Sequence, residues 1–205
     1  QVDKATENNV KSILTLVKKS KAYNINPDYA TEIATKLYPL DFFAANILTI
    51  TLQKYGQNER SLFSFLESTD HTGINSFDKK SNPFYNISCV YDYLTFNFYS
   101  FINSRYNPDF ASWATIRNSL EAIEKLTDTN LNEYSKILKS IGLLHITASN
   151  GADIGKDLLE KYSSVCLGIS NAGKLIENLE KWKIILYRNY SKRYILFEGT
   201  DLDIS

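Results

Sequence analysis

The sequence has little of what most metal-binding or catalytic chains display. It holds two cysteines and two histidines in 205 residues. Cys89 and Cys166 lie far apart, and neither belongs to a CxxC or Cys/His pattern, so the spacing offers no zinc site and no redox motif. They can pair only if the fold brings them together. Two buried free thiols in a reducing compartment is the expected state. His71 stands beside Asp70, but one such pair makes neither a metal site nor a triad. His145 falls in the apolar run Leu143-Leu144-His145-Ile146 and reads as a satisfied core residue. No cluster of nucleophile, base and orienting group emerges.

Net charge is missing too. The 23 Lys and Arg balance 23 Asp and Glu. No global field steers the chain onto nucleic acid or anionic lipid, so such a contact must come from a local patch. Membrane-length apolar runs are lacking. The longest candidate, 37–52, is interrupted by Asp41, Asn46, Pro39 and two threonines. No basic-then-apolar leader opens the chain. A cytoplasmic location with no membrane partner is therefore expected. The chain starts Gln1-Val2-Asp3 without Met, which favours a piece of a longer protein. The Asn-x-Ser matches at Asn86 and Asn189 arise easily by chance.

What is present suffices for a core. Hydrophobic residues make up 43% and charged residues 22%, ordinary values for a globular protein. The length suits one large or two small domains. Helical periodicity recurs. Val10, Ile13, Leu14 and Val17 predict a helix over 3–19. Asn26-Pro27-Asp28 starts a second, running through Ile33 and Leu37. Pro39 is expected to end it and open a third, which reaches Tyr55 and stops at Gly56. A fourth is expected to restart after Asn58 as its cap, with Leu62, Phe63, Phe65 and Leu66 as its apolar face. Residues 68–83 read as an exposed loop. Tyr91, Leu94, Phe98 and Ile102 mark a helix begun by Ser88. Its surplus of aromatics suggests a central position, or contact with another domain. A further helix spans 110–126.

Residues 127–130 form a break and the candidate domain boundary, which divides the chain into 1–129 and 130–205. Beyond it, a helix through Tyr134, Ile137, Leu138 and Ile141 is expected to end at Gly142. Ile154, Leu158, Leu159 and Tyr162 mark a second. Ser170 caps a third, carrying Ala172, Leu175, Ile176 and Leu179. Two strand-like runs, 184–187 and 194–197, flank the polar segment Arg188 to Arg193. Three helices and a hairpin in this order read as a winged helix, or as a generic α+β extension with the same elements. The expected class is mainly α: a helical bundle followed by a winged helix.

Two stretches carry a resemblance. One is Tyr38-Pro39-Leu40 with the run Gly56-Gln-Asn-Glu-Arg60-Ser-Leu-Phe-Ser-Phe-Leu66. The other is Lys183 to Arg188 with Arg193 to Ile204. Both resemble the lid and winged-helix region downstream of the nucleotide-binding core in large bacterial P-loop ATPases of the AAA+/STAND kind, some of which sit in phage-defence loci. The family's Pro-Leu-His-Pro here reads Pro39-Leu40-Asp41-Phe42, so a role for that His does not carry over. The resemblance implies ATP and Mg²⁺ in a core outside this chain. Within the chain no Gly-x-x-x-x-Gly-Lys-Ser/Thr occurs. Gly151 to Asp157 is one residue short between its glycines and ends in an acid, so it reads as a turn. The chain alone is expected not to hydrolyse ATP and to hold no cofactor.

Given that resemblance, Arg60 is a candidate phosphate sensor, since an Arg opening a lid helix can reach a γ-phosphate. Its bland reading is a surface Arg paired with Glu59. The second candidate set is basic. Lys181, Lys183, Arg188, Lys192 and Arg193 follow one another without an acid, interleaved with Trp182, Tyr187 and Tyr190. In a winged helix these fall at the end of the third helix and in the wing, where phosphates are contacted. Lys174 and Asn178 add to the set from the helix, whereas Glu177 and Glu180 would repel a phosphate. Backbone contact with double-stranded DNA, docking of a protein, and a solvated hairpin tip remain open. Glu121 and Glu124 share a solvated helix face.

Overall fold

The computed structural model describes residues 2–56 and 59–197, without the side chains of Glu59 and Arg60. Ten helices and a C-terminal antiparallel hairpin make the described part mainly helical. The first helices form where caps and apolar spacing coincide. In α1 (Lys4–Ser20), the Asp3 carboxylate accepts from the Thr6 N–H at 2.7 Å, and Val10, Ile13, Leu14 and Val17 are buried. Asn26 caps α2 (Pro27–Ile33) by accepting from the Asp28 and Tyr29 amides. Helix α3 (Phe42–Tyr55) starts later than Pro39 would suggest. Asp41 is its cap, accepting from the Ala44 N–H at 2.9 Å, and Gly56 follows its end.

Helix α4 (Glu59–Glu67) departs from the expected apolar packing. Phe65 is buried, edge-on to Tyr85 and Tyr93, but Leu62, Phe63 and Leu66 face outward. The loop after it contains a 3₁₀ turn, Ile74–Ser76. Helix α5 (Ile87–Asn97) is capped by Asn86 rather than Ser88, and breaks at Phe98 before the single turn of α6 (Tyr99–Ile102). Helix α7 (Phe110–Leu126) carries the fully buried Trp113. Its indole N–H donates to the Tyr55 hydroxyl, which in turn donates to Asp109.

Helix α8 (Leu131–Thr147) runs straight through Gly142. A Cβ at Gly142 would sit 2.4 Å from Ile116 Cγ1, so the glycine is there for close approach to α7, not to end the helix. The expected apolar run after Gly142 is thus the helix's last turn, and His145 is exposed on it rather than in the core. Helices α9 (Lys156–Val165) and α10 (Ala172–Lys181) follow, α10 starting after Asn171 rather than being capped by Ser170. Strands β1 (Ile185–Arg188) and β2 (Arg193–Leu196) pair in the register Ile185↔Leu196 to Arg188↔Arg193. Helix α8 packs on α3, α5, α7, α10 and β2, and one hydrophobic cluster runs from Val10 to Leu196 across the turn at 127–130.

A buried polar hub ties the distant segments. The Tyr162 hydroxyl of α9 donates to Asp41 at 2.6 Å and accepts from the Ile87 N–H. The Asn86 amide donates to the Cys166 carbonyl at 3.0 Å. Burial pushes the Asp41 carboxyl up to about 6, against the hydrogen bonds from Tyr162 and Ala44. Burial, with Asp41 beside it, raises the Tyr162 hydroxyl well above its usual range. Cys89 and Cys166 are unpaired.

Candidate polyanion interface

The basic surface is built by the end of α10 and the hairpin. Helix α10 closes with paired bonds, Lys183 N–H to Glu180 C=O and Ile184 N–H to Leu179 C=O. That is a Schellman-type stop, with Lys183 in the left-handed conformation at φ 58°. The turn throws the Lys183 side chain into solvent. At the hairpin tip, Lys192 is also left-handed, at φ 51°, and exposed. Arg188 donates to the Tyr190 hydroxyl at 3.2 Å, holding both side chains at the tip, where Tyr190 is 82% exposed.

The eight residues named from the sequence divide. Lys174, Lys181, Lys183, Arg188, Tyr190 and Lys192 are exposed on α10 and the hairpin. Asn178 is committed inward, donating to the Tyr134 hydroxyl at 2.9 Å. Arg193 is buried, and its guanidinium donates to the carbonyls of Ser149, at 2.5 Å, and Asn150, at 3.1 Å. Burial pulls its pKa below the usual value, and its Nε has no partner among the described residues. Arg193 therefore pins the α8–α9 turn to β2 and does not face a ligand. Nothing in the sequence separates it from Lys192: both are basic, adjacent to each other and bracketed by Tyr190 and Tyr194. Only the burial of β2, with β1 on one edge and Ile154 bridged to the other, turns Arg193 inward.

The two acids on α10 are partnered. Glu177 accepts from Lys156 at 2.9 Å, and this pairing lowers its pKa. Glu180 accepts from the Tyr194 hydroxyl at 2.9 Å. Lys181 to Lys192 thus present cations with no acid among them in the sequence.

The other sequence candidates lie elsewhere. Asn58 and the Arg60 side chain fall outside the described residues, as do residues 198–205 of the second resembling stretch. His71 packs edge-on to Phe96, at 4.8 Å between ring centres. Its neighbour Asp70 instead accepts from Ser68, Thr72 and Asn97. In the sequence Asp41 before an apolar run is a legible cap, but nothing there signals the buried hub it makes with Tyr162. Comparison with family models, curated proteins and solved structures gives no match for this chain.

Proposed function

We propose that this chain is a coupling module whose C-terminal unit is a winged helix that contacts the backbone of double-stranded DNA. It would serve a larger P-loop ATPase whose core binds ATP and Mg²⁺. The observation that carries the reading is the exposed set Lys181, Lys183, Arg188, Tyr190 and Lys192 on one helix end and its hairpin. The winged-helix part is supported by the order α8, α9, α10, β1, β2. It is also supported by Ile154, between α8 and α9, which pairs with β2 where a winged helix places its first strand: its N–H donates to the Lys192 carbonyl at 2.9 Å. With Asn178 turned inward, the helix keeps only lysines to offer. That favours phosphate contact over base reading.

The coupling part rests on the resemblance and on α4. A lid helix that packs on a separate core needs an outward apolar face, and Leu62, Phe63 and Leu66 supply one. Nucleotide state would reach this chain through Arg60. In the full-length protein, Arg60→Ala should slow ATP hydrolysis; an unaltered rate would remove Arg60 from the reading. For the wing, fluorescence anisotropy of labelled duplexes of unrelated sequence is the test. Similar binding to each at low salt is the expected result, and no binding at low salt would sink it. Protein docking through the same wing is the reading that would then stand, with Tyr190, exposed and held by Arg188, as its anchor.

A further inference from the structure

The described chain ends beside the exposed lysines at the close of α10. The Phe197 N–H donates to the Ile184 carbonyl at 2.9 Å, so the chain leaves the hairpin next to Lys183, which its left-handed turn sets in solvent. Residues 198–205 then read Glu-Gly-Thr-Asp-Leu-Asp-Ile-Ser. They carry three carboxylates, Glu198, Asp201 and Asp203, without a Lys or Arg. The surface beside this exit has the opposite composition. Lys181, Lys183, Arg188 and Lys192 are exposed. Among the described residues none of the four forms an ion pair. The acids of α10 do not serve them, because Glu177 is held by Lys156 and Glu180 by the Tyr194 hydroxyl.

We propose that residues 198–205 are an autoinhibitory segment whose carboxylates occupy this basic face until a nucleic-acid backbone displaces them. Their reach suffices. An extended residue covers about 3.3 Å, so the length of β1 sets the hairpin tip about 13 Å from the close of α10. Counted from Phe197, the chain can carry Asp201 about 13 Å and Asp203 about 20 Å. Charge and tethering select the occupant. A single exposed ion pair is weak, but a segment joined to its own site meets it at an effective concentration of about millimolar. A separate acidic protein has no such advantage. The segment matches a phosphate backbone in charge rather than in shape, so it lowers affinity for every duplex sequence alike. The docking stands on the exit point and the charges. The competition rests on the proposal that the hairpin and the end of α10 contact DNA.

Two measurements on the full chain separate the docking from the competition. A carbodiimide joins carboxylates to amines with which they are already in contact. At low salt Asp201 and Asp203 should be joined mainly to Lys181, Lys183 and Lys192, as mapped by mass spectrometry, and the products should fade at about 0.5 M salt. Products spread evenly over exposed lysines of other helices, such as Lys4, Lys36 and Lys125, would overturn the docking. In duplex anisotropy at low salt, Glu198→Gln, Asp201→Asn and Asp203→Asn combined should tighten binding about threefold or more. A control with the same change in net charge, Asp28→Asn, Glu121→Gln and Glu124→Gln, removes exposed acids elsewhere and should change affinity less than about twofold. Equal tightening by both sets would mean that net charge alone acts and would overturn the competition, as would no tightening by the first set. Specific crosslinks in a chain that binds no duplex, with or without its acids, would keep the docking and remove DNA as the competitor, so failure of the DNA reading is told apart from failure of the segment's docking.

Discussion

Asp41 brings a carboxyl into a site without solvent, where it caps α3 and accepts from Tyr162. Its folded pKa is raised to about 6, from 3.8 in the open chain. The fold therefore prefers the protonated form. That contribution to stability is fully present below about pH 4 and is lost as pH rises through about 6. Relative to Asp41→Asn, which cannot titrate, the wild type should lose roughly 3 kcal/mol across that window. Chemical denaturation of both proteins at several pH values gives the comparison, and parallel curves would contradict it. Arg193 makes the complementary case. Arg193→Ala strands the carbonyls of Ser149 and Asn150 and should cost roughly 2–4 kcal/mol in the same measurement. Any DNA-binding defect of that variant would then report on folding, whereas Lys192→Ala reports on contact.

Lys183 sets stability against recognition within one element. Its left-handed position at the end of α10 is one that glycine fills without strain. Lys183→Gly should raise stability by about 0.5–1 kcal/mol while weakening DNA binding. A variant that gained both would mean the lysine has no role at the surface. Lys21 adopts the same conformation after α1, so only the pairing of the two readouts distinguishes Lys183. Gly142 shows the reverse. Alanine there would improve helix propensity but collide with Ile116, and thermal melts should show a net loss of about 1–2 kcal/mol. What is legible in the sequence differs from one element to the next. Helices α1 and α7 were legible because spacing and flanking residues agree within one segment. Gly142 was not, because its meaning depends on Ile116 in another helix. Neither was the outward face of α4, whose Leu62, Phe63 and Leu66 form a periodic stripe whether or not anything covers it. In the candidate site, the clustering of basic residues was legible. The inward turn of Asn178 and Arg193 was not, since it is decided by Tyr134 and by the turn at Ser149.

Across the whole molecule, one hydrophobic cluster extends from α1 to β2, and α8 touches both the earlier helices and the hairpin. A force applied at the hairpin would therefore meet the packed interior of the earlier helices, as the proposed coupling role requires. The hairpin itself lies at the edge, with Arg188 and Lys192 in solvent and with Arg193, Ile185, Tyr194, Ile195 and Leu196 inside. The salt dependence of duplex binding decides whether these cations meet phosphates. Each phosphate neutralised contributes about −0.9 to the slope of log affinity against log salt. With Lys181, Lys183, Arg188 and Lys192 in contact, the slope should be about −3 to −4, and each alanine substitution should flatten it by about 0.9 for every duplex sequence tested. A slope near zero, or one that these four substitutions leave unchanged, would contradict the proposal that the hairpin and the end of α10 contact a nucleic-acid backbone.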